Sequence, residues 1–375
     1  MLSKSIPIRK TFLHLFFFAM LPSMGSLAFS SVLPCVAQGP YTPICGLQGP
    51  EDIEVLADNR HAIVSELPRG MKHSNKPGLI LADLIAHRVE PLVVESAPQQ
   101  GWGDAACDAP PKSFGSHGIH LSTRADGRLE LLVVNHDQRE SIEALEIRST
   151  AHGYHAIWHG CVIYTGGIFN DVASTGDGGF VALVMLTTSD SSRADLLDFM
   201  TSGSDTGFLV EWHPQSGLKR VPNTAVPMPA GVQISRDGRY IYYTSWSGKD
   251  IRMYDRIKGA VVKVTRLSFD PDNISTQPDG TFLVTGIDDL NDFRTCFLNK
   301  PAMCQEPSTV AAVDPRTLAA KTVLHLTPGF ISGASVAVQI DQHYYLGSAL
   351  GDRILDVHLS PAMEKARDES IRNSK

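Results

Sequence analysis

The sequence predicts an all-β protein, a six-bladed β-propeller with four-stranded blades, preceded by an N-terminal signal segment. Six turns carry an aspartate between two strand-like runs, at Asp58, Asp126, Asp177, Asp237, Asp279 and Asp341. Four of the six read Asp-Gly, and an Asp-Gly pair between strand-like runs is a strong hairpin signal. The turns recur every 42 to 68 residues. This spacing is too irregular for a solenoid, but it fits one four-stranded sheet per unit with outer loops of variable length.

Short runs of β-branched, aromatic and aliphatic residues flank each turn. The runs before the turns are 54–56, 118–122, 172–174, 232–235, 274–276 and 335–339, and those after are 61–64, 129–134, 180–186, 240–244, 281–285 and 344–347. Helical periodicity is scarce, and only residues 189–201 are predicted to form a short helix. In a propeller the innermost strands converge on a central tunnel, so residues far apart in sequence can meet there.

Residues 1–28 have the layout of a secretory signal peptide. Three basic residues precede an apolar run over 12–20, and small residues follow it. We expect cleavage after Ala28, with a site near Ala37 as the alternative, and hence a secreted or periplasmic protein. The other interpretation is an uncleaved anchor, because residues 11–34 are nearly long enough to span a bilayer. Contact with a membrane is expected only in that case.

The remaining boundaries follow from composition. A Gly- and Pro-rich linker is expected over 29–48, the propeller over 49–360 and a polar tail over 361–375. Because an exported chain meets an oxidising compartment, its six cysteines are expected to form disulfides. Cys296 and Cys304 flank a short polar loop and are the favoured pair, whereas the sequence does not assign the other pairings. Zinc is not favoured, since no Cys-x-x-Cys pair occurs.

Composition excludes several function classes. The formal net charge is −7, with 43% hydrophobic and 19% charged residues, and no basic stripe suggests a nucleic-acid partner. The sequence contains neither the Gly-x-Ser-x-Gly motif of serine hydrolases nor a Walker-type phosphate loop.

Three adjacent pairs of oxygen-bearing side chains stand at predicted ends of inner strands. They are Glu51-Asp52, Asn170-Asp171 and Asp272-Asn273. Each pair alone is typical of a turn or a solvated loop. Together they form the set of carboxylates and amides that a hard cation such as calcium collects from scattered segments. We therefore expect the chain to fold around one or two calcium ions.

These pairs belong to six motifs that occur in a characteristic order. The motifs are Gly-Pro-Glu-Asp-Ile-Glu at 49–54, Ser-His-Gly-Ile at 116–119, Leu-Val-Val-Asn-His at 132–136, Phe-Asn-Asp-Val at 169–172, Gly-Val-Gln-Ile-Ser at 231–235 and Asp-Asn-Ile-Ser at 272–275. The sequence over about 48–358 resembles the paraoxonase/arylesterase family, within the wider group of senescence-marker and gluconolactonase-like calcium propellers.

The resemblance implies a six-bladed propeller with two calcium ions, which hydrolyses a small-molecule lactone or aryl ester. The ligands implied for an upper, catalytic ion are Glu51, Asn170, Asp272 and Asn273. Those implied for a lower, structural ion are Asp52, Asp171 and the carbonyl of Ile119. His117 and His136 resemble the family's histidine pair, with His117 expected to take a proton from water and His136 to orient or relay. Calcium would polarise the substrate carbonyl.

Three positions depart from the family pattern. Ala230 stands where the family has an asparagine ligand, which removes one oxygen from the upper site. Asp288 appears where paraoxonases carry a pocket histidine, so an extra carboxylate is expected to shift the charge of the pocket or to replace a ligand. No cysteine follows Cys304, so the disulfide that joins the two ends of paraoxonases is absent, and closure must rest on strand pairing or Cys45 must pair elsewhere.

Two further readings compete with a calcium-dependent hydrolase. The first is a catalytically inactive propeller, stabilised by calcium and acting as a binding module. The second is a non-hydrolytic reaction in the tunnel, as in strictosidine-synthase-like propellers. A separate cluster, His152, His155 and His159, has spacing suited to zinc on a helix, but Gly153 and the neighbouring β-rich residues favour a strand there.

Overall fold

The computed structural model describes residues 34–67, 78–151, 153–187, 197–198, 201–299, 304 and 306–359. The first strands are β1 (Tyr41–Cys45), β2 (Pro50–Val55), β3 (His61–Glu66), β4 (Leu79–Asp83), β5 (Arg88–Pro91), β6 (Val94–Ser96), β7 (Ser116–Thr123), β8 (Leu129–Asn135), β9 (Ser141–Thr150), β10 (Gly153–Ile163), β11 (Ile168–Ser174) and β12 (Phe180–Leu186). The elements that follow are β13 (Phe208–His213), β14 (Gly217–Arg220), β15 (Pro229–Ile234), β16 (Tyr240–Ser245), β17 (Asp250–Asp255), β18 (Ala260–Arg266), β19 (Asp270–Thr276), β20 (Phe282–Ile287), α1 (Leu290–Asn299), β21 (Ser308–Val313), β22 (Ala320–Leu326), β23 (Val336–Ile340), β24 (His343–Gly347) and β25 (Arg353–His358).

These strands form six sheets, antiparallel except for one added strand, which confirms the predicted six-bladed propeller. Their orders are β2-β3-β4-β5, β7-β8-β9-β10-β6, β11-β12-β13-β14, β15-β16-β17-β18, β19-β20-β21-β22 and β23-β24-β25-β1. The first strand of each sheet contacts the first strand of the next, and β23 contacts β2, so the ring is closed. All six predicted aspartate turns lie between the first two strands of a blade. Local turn chemistry therefore identified every blade.

The second blade departs from the four-stranded expectation. Its extra strand, β6, pairs in parallel with the outer strand β10, with Val94 opposite Ala156. This added strand covers an edge that would otherwise expose unpaired backbone groups. The blades are thus mostly, but not uniformly, four-stranded.

The first strand of the chain closes the ring. β1 pairs antiparallel with β25, with Tyr41 opposite Val357, and becomes the outer strand of the sixth blade. The expected linker over 29–48 is therefore wrong for Tyr41–Cys45, because these residues satisfy a sheet edge and Ile44 is only 1% exposed. Closure rests on strand pairing, as one of the two alternatives for this chain required.

Three disulfides are present among the described residues, joining Cys35 to Cys45, Cys107 to Cys161 and Cys296 to Cys304. The last confirms the favoured pair. Cys296 lies on the helix α1, however, so the segment predicted as a short polar loop begins in helical conformation. The Cys35–Cys45 bond braces the closing strand, since Cys45 is its last residue.

Removing the Cys107–Cys161 disulfide is expected to destabilise the second blade. This bond closes a segment with a sequence separation of 54 residues, and both sulfurs are buried against the core that contains Trp158. The double variant Cys107→Ala/Cys161→Ala should lose about 2–4 kcal/mol of unfolding free energy, measured by urea denaturation. Wild-type protein in reducing buffer should shift by a similar amount, and an unchanged midpoint in both experiments would contradict the expectation.

Several sequence-based predictions fall outside the described residues. These are the signal peptide over 1–28, the tail over 361–375, most of the helix over 189–201, and His152. In the part of the chain that the structure describes, no helix is both long and apolar enough to cross a membrane.

Candidate active site

The inner strands of the first five blades share one irregularity. The register of each shifts at equivalent positions, between residues 50 and 53, 116 and 119, 169 and 172, 229 and 232, and 271 and 274. A bulge leaves residues out of the ladder and re-aims their side chains. Every oxygen-bearing pair singled out in the sequence lies in one of these bulges, and so does His117.

The second bulge position alternates between a polar residue and glycine around the ring. It holds Asp52, Gly118, Asp171, Gly231 and Asn273 in blade order. A Cβ on Gly118 would collide with Asp171, and one on Gly231 would collide with the backbone of Asp272 and Asn273. The glycines thus make room for the polar residues of the next blade.

The first bulge positions converge on a buried cavity of about 110 Å³. Glu51, His117, Asn170 and Asp272 line it, and Asn273 Nδ2 donates to Glu51 Oε1 at 2.6 Å. Three oxygens in this cluster are buried and have no hydrogen-bond partner among the described residues: Glu51 Oε2, Asn170 Oδ1 and Asn273 Oδ1. Unpartnered buried oxygens are costly unless a cation or a ligand satisfies them.

The acidic side chains of the site lie close enough together to raise one another's pKa values or to share the same buried surroundings. Burial raises the pKa of Glu51 well above its usual range, and the charges of Asp272, Asp52 and Asp171 raise it further. Burial, with a contribution from Asp52, raises the pKa of Asp272 to about 7. The hydrogen-bond donors of the cluster therefore do not balance the negative charge of its carboxylates. All the atoms that it offers to a metal ion are oxygens. This set suits calcium, which prefers carboxylate and amide oxygens.

The next residues along the inner strands line a second cavity of about 310 Å³. Asp52, Ile119 and Asp171 contribute to it. Asp52 Oδ1 and Oδ2 accept from the amides of Ile53 and Ile119, each at 2.8 Å. Asp171 does the same with Val172 and Val232, each at 2.7 Å. Each carboxylate thus joins its own strand to the next blade and keeps lone pairs for a further ligand.

The two histidines form a hydrogen-bonded chain with a glutamate. His117 Nδ1 lies 2.9 Å from His136 Nε2, and His136 Nδ1 lies 2.8 Å from Glu140 Oε2. Because Glu140 can only accept when ionised, we assign the proton on His136 to Nδ1, and His117 Nδ1 donates to His136 Nε2. His117 Nε2 then carries a free lone pair, 3.9 Å from Glu51 Oε1. Burial lowers the pKa of His117, and the neighbouring His136, which would repel a second protonated imidazole, lowers it further, so the ring of His117 is neutral.

Sequence reasoning missed Glu140. Its other oxygen, Oε1, accepts from the amide of Phe169 at 2.7 Å and so ties the chain of histidines to the bulge that carries Asn170. In the sequence, only its position four residues after His136 indicated that Glu140 could contact the histidine pair. The apolar walls of the cavity, Met185, Met228, Trp246 and Phe293 among them, were also not predicted.

Two predicted features lie elsewhere. Asp288 does not line the cavity, because its Oδ1 accepts from Thr309 Oγ1 at 2.8 Å and its Oδ2 lies 3.3 Å from His325 Nδ1. It is therefore not a replacement ligand. His159 lies on the strand β10 and contacts Glu146 at 2.9 Å, which agrees with the strand reading of that segment.

A model of the arylesterase family matches residues 48–355. The chain belongs to the arylesterase family. Its sequence is 30% identical over 280 residues to serum paraoxonase/arylesterase 1 of Rattus norvegicus, covering 67% of this chain and 69% of that protein. It is 28% identical over 246 residues to serum paraoxonase/arylesterase 1 of Homo sapiens, covering 62% of this chain and 64% of that protein. These matches confirm the family resemblance.

The solved structures that align with this chain are far more distant in sequence. A luciferin-regenerating enzyme aligns with a TM-score of 0.49 at 11% identity, covering 84% of this chain and 93% of that one. A putative gluconolactonase aligns with a TM-score of 0.48 at 11% identity, covering 87% and 93%.

The crowded carboxyls of this arylesterase-family chain predict a pH dependence in metal-free buffer. Burial raises the pKa of Asp52 to about 6, and that of Asp272 lies at about 7, whereas both titrate near 4 when unfolded. A carboxyl whose folded pKa is raised takes up protons on folding, so the free energy of unfolding should fall as pH rises from about 4 through about 7. Chemical denaturation at several pH values in chelator tests this. Asp272→Asn should flatten the slope, and a wild-type profile that rises over this range would contradict it.

Proposed function

We propose that this chain is an exported, calcium-dependent hydrolase of lactones or aryl esters. The observation that carries the proposal is the hydrogen-bonded chain His117–His136–Glu140, which reaches the small cavity that Glu51 and Asn170 line with unpartnered buried oxygens. Membership of the arylesterase family supports the reaction class, and the family is calcium-dependent in general. Three disulfides fit an oxidising compartment.

Glu51, Asn170, Asp272 and Asn273 would hold the catalytic calcium. The unpartnered oxygens of Glu51, Asn170 and Asn273 and the raised pKa values of Glu51 and Asp272 support this assignment. Bound there, calcium supplies a Lewis acid for the substrate carbonyl and for the negative charge that develops on its oxygen. Asp52, Asp171 and the carbonyl of Ile119 would hold a second, structural calcium. Their amide contacts to neighbouring blades suit an ion that stabilises the ring.

His117 acts as the general base in this proposal. Its free Nε2 accepts a proton from a water as that water attacks the carbonyl carbon, and it later returns the proton to the leaving oxygen. His136 holds His117 in the required tautomer, and Glu140 stabilises the positive charge that the histidine pair gains. Apolar walls from Met185, Met228, Trp246 and Phe293 exclude bulk water and receive the organic part of the substrate.

The second candidate function is an inactive binding module. Ala230 favours it, because this residue lines the cavity without offering an oxygen ligand. A panel of lactones and aryl esters, assayed with calcium and with chelator, separates the two functions. The hydrolase is expected to show turnover that chelator abolishes and that added calcium restores. Loss of stability in chelator, with no turnover of any substrate in calcium, would instead favour the binding module.

A further inference from the structure

A third acidic side chain, Glu306, lines the same cavity and has no role in the proposed hydrolysis. It is only 2% exposed, and neither of its carboxylate oxygens has a hydrogen-bond partner among the described residues. A buried carboxyl without a partner is rare, because the group forfeits its hydration. Such a group in a cavity wall indicates a ligand.

The surrounding backbone is built to hold this carboxyl in place. A Cβ on Gly333 would collide with Glu306 Oε2, so the glycine provides its space. The disulfide Cys296–Cys304 joins Cys304, two positions before Glu306, to the helix α1, and the amide of Cys304 donates to Ser332 Oγ at 3.0 Å. The carboxyl therefore belongs to a rigid wall, tied on both sides.

The described charges nearest to Glu306 are negative. Burial, with contributions from the charges of Asp292 and Asp289 at the start of α1, raises its pKa to about 8. The other titratable groups lining the cavity are Glu51, His117 and Asp272, and the described lining includes no lysine or arginine. Among the described residues that line the cavity, no cation therefore offsets the carboxyl.

Aromatic rings complete this part of the wall. Trp246 and Phe293 pack edge to face with centroids 4.8 Å apart, and Phe293 stacks on Phe297 at 5.7 Å. All three line the cavity with Glu306. Aromatic faces beside a carboxylate are the combination that binds organic ammonium groups, through cation–π attraction and direct charge pairing.

We propose that the substrates of this site are esters or lactones that carry a positively charged ammonium group, seated against Glu306 and the rings of Trp246, Phe293 and Phe297. The proposal rests on the hydrolase function and names its substrate class. A neutral polar group could also meet a protonated carboxyl. A cation is favoured because, unlike a neutral group, it also offsets the negative charges of Asp289 and Asp292.

Two matched aryl esters test the proposal, one with an acyl chain ending in trimethylammonium and the other ending in the neutral, isosteric tert-butyl group. The wild type should prefer the cationic ester by about 10-fold or more in kcat/KM. Glu306→Gln should abolish the preference by lowering kcat/KM for the cationic ester toward that for the neutral ester. A preference that survives in Glu306→Gln, or a wild-type preference for the neutral ester, would overturn the proposal.

Binding of the cation alone separates this proposal from the hydrolase function. Calorimetry with (4-phenylbutyl)trimethylammonium should show binding to the calcium-loaded wild type that weakens by about 10-fold or more in Glu306→Gln. Because the cation binds the ionised carboxylate, the affinity should rise with pH up to about 8 in the wild type only.

Glu90→Gln, at an exposed position of β5, is the matched control for net charge and should behave as wild type. Binding without turnover would uphold the cation site and count against the hydrolase. Equal binding by the wild type and Glu306→Gln would show that the buried acid is structural only.

Discussion

Replacing His117 with glutamine is expected to lower kcat/KM for the preferred ester by about 10²- to 10⁴-fold, the usual contribution of a general base. Glutamine can keep a hydrogen bond to His136 Nε2, which lies 2.9 Å from His117 Nδ1. It cannot accept a proton from water, so geometry is preserved while basicity is lost. The measurement is steady-state kinetics in saturating calcium, with circular dichroism to confirm the fold.

Two further variants show whether the effect belongs to the chain of histidines. His213→Gln, on an outer strand, removes a histidine that lies 3.5 Å from Asp177 and should leave the kinetics unchanged. Residues that act as a unit give non-additive losses. The double variant His117→Gln/His136→Gln should therefore be little worse than His117→Gln alone. A loss of less than about threefold in His117→Gln would remove this residue from the reaction.

Removing calcium is expected to abolish hydrolysis and to destabilise the ring. Calcium at about 100 times its Kd should add about 2.7 kcal/mol per site to the unfolding free energy. The gain should grow with pH, because the carboxyls of Asp52 and Asp272 are protonated at low pH and compete with the ion. Thermal and chemical denaturation with and without chelator measure both effects.

The two calcium sites can be separated by substitution. Calorimetry should count two ions in the wild type and one in Glu51→Ala, which should lose turnover but keep most of the calcium-dependent stability. Asp171→Asn should instead lose stability, since Asp171 joins two blades through the amides of Val172 and Val232. Magnesium should not replace calcium, because it demands a tighter octahedral site. A wild type that binds no calcium would contradict the assignment of both sites.

Parts of this site were accessible to sequence reasoning and parts were not. The structure brings Glu51, His117, Asn170 and Asp272, all singled out in the sequence, to one cavity, while their roles stay predictions. Asp288 was placed there wrongly, because its partner Thr309 lies on a different strand of the same blade.

Glu140 and Glu306 were not identified at all. Neither belongs to a motif, and only their surroundings distinguish them from other acids. For Glu140 these are the ring of His136 and the amide of Phe169. For Glu306 they are Gly333 and the cavity wall.

By itself the sequence determined the number of blades, the Cys296–Cys304 pair and the order of the polar motifs. Turn chemistry and strand alternation are encoded within a few adjacent residues. Only the tertiary structure decided how the ring closes and which way the bulged residues point. The contact between Asn273 and Glu51 joins residues 222 positions apart, and the pairing of β1 with β25 joins the two ends of the propeller. Such contacts exist only once all six sheets surround one axis, so no local pattern in the chain could specify them.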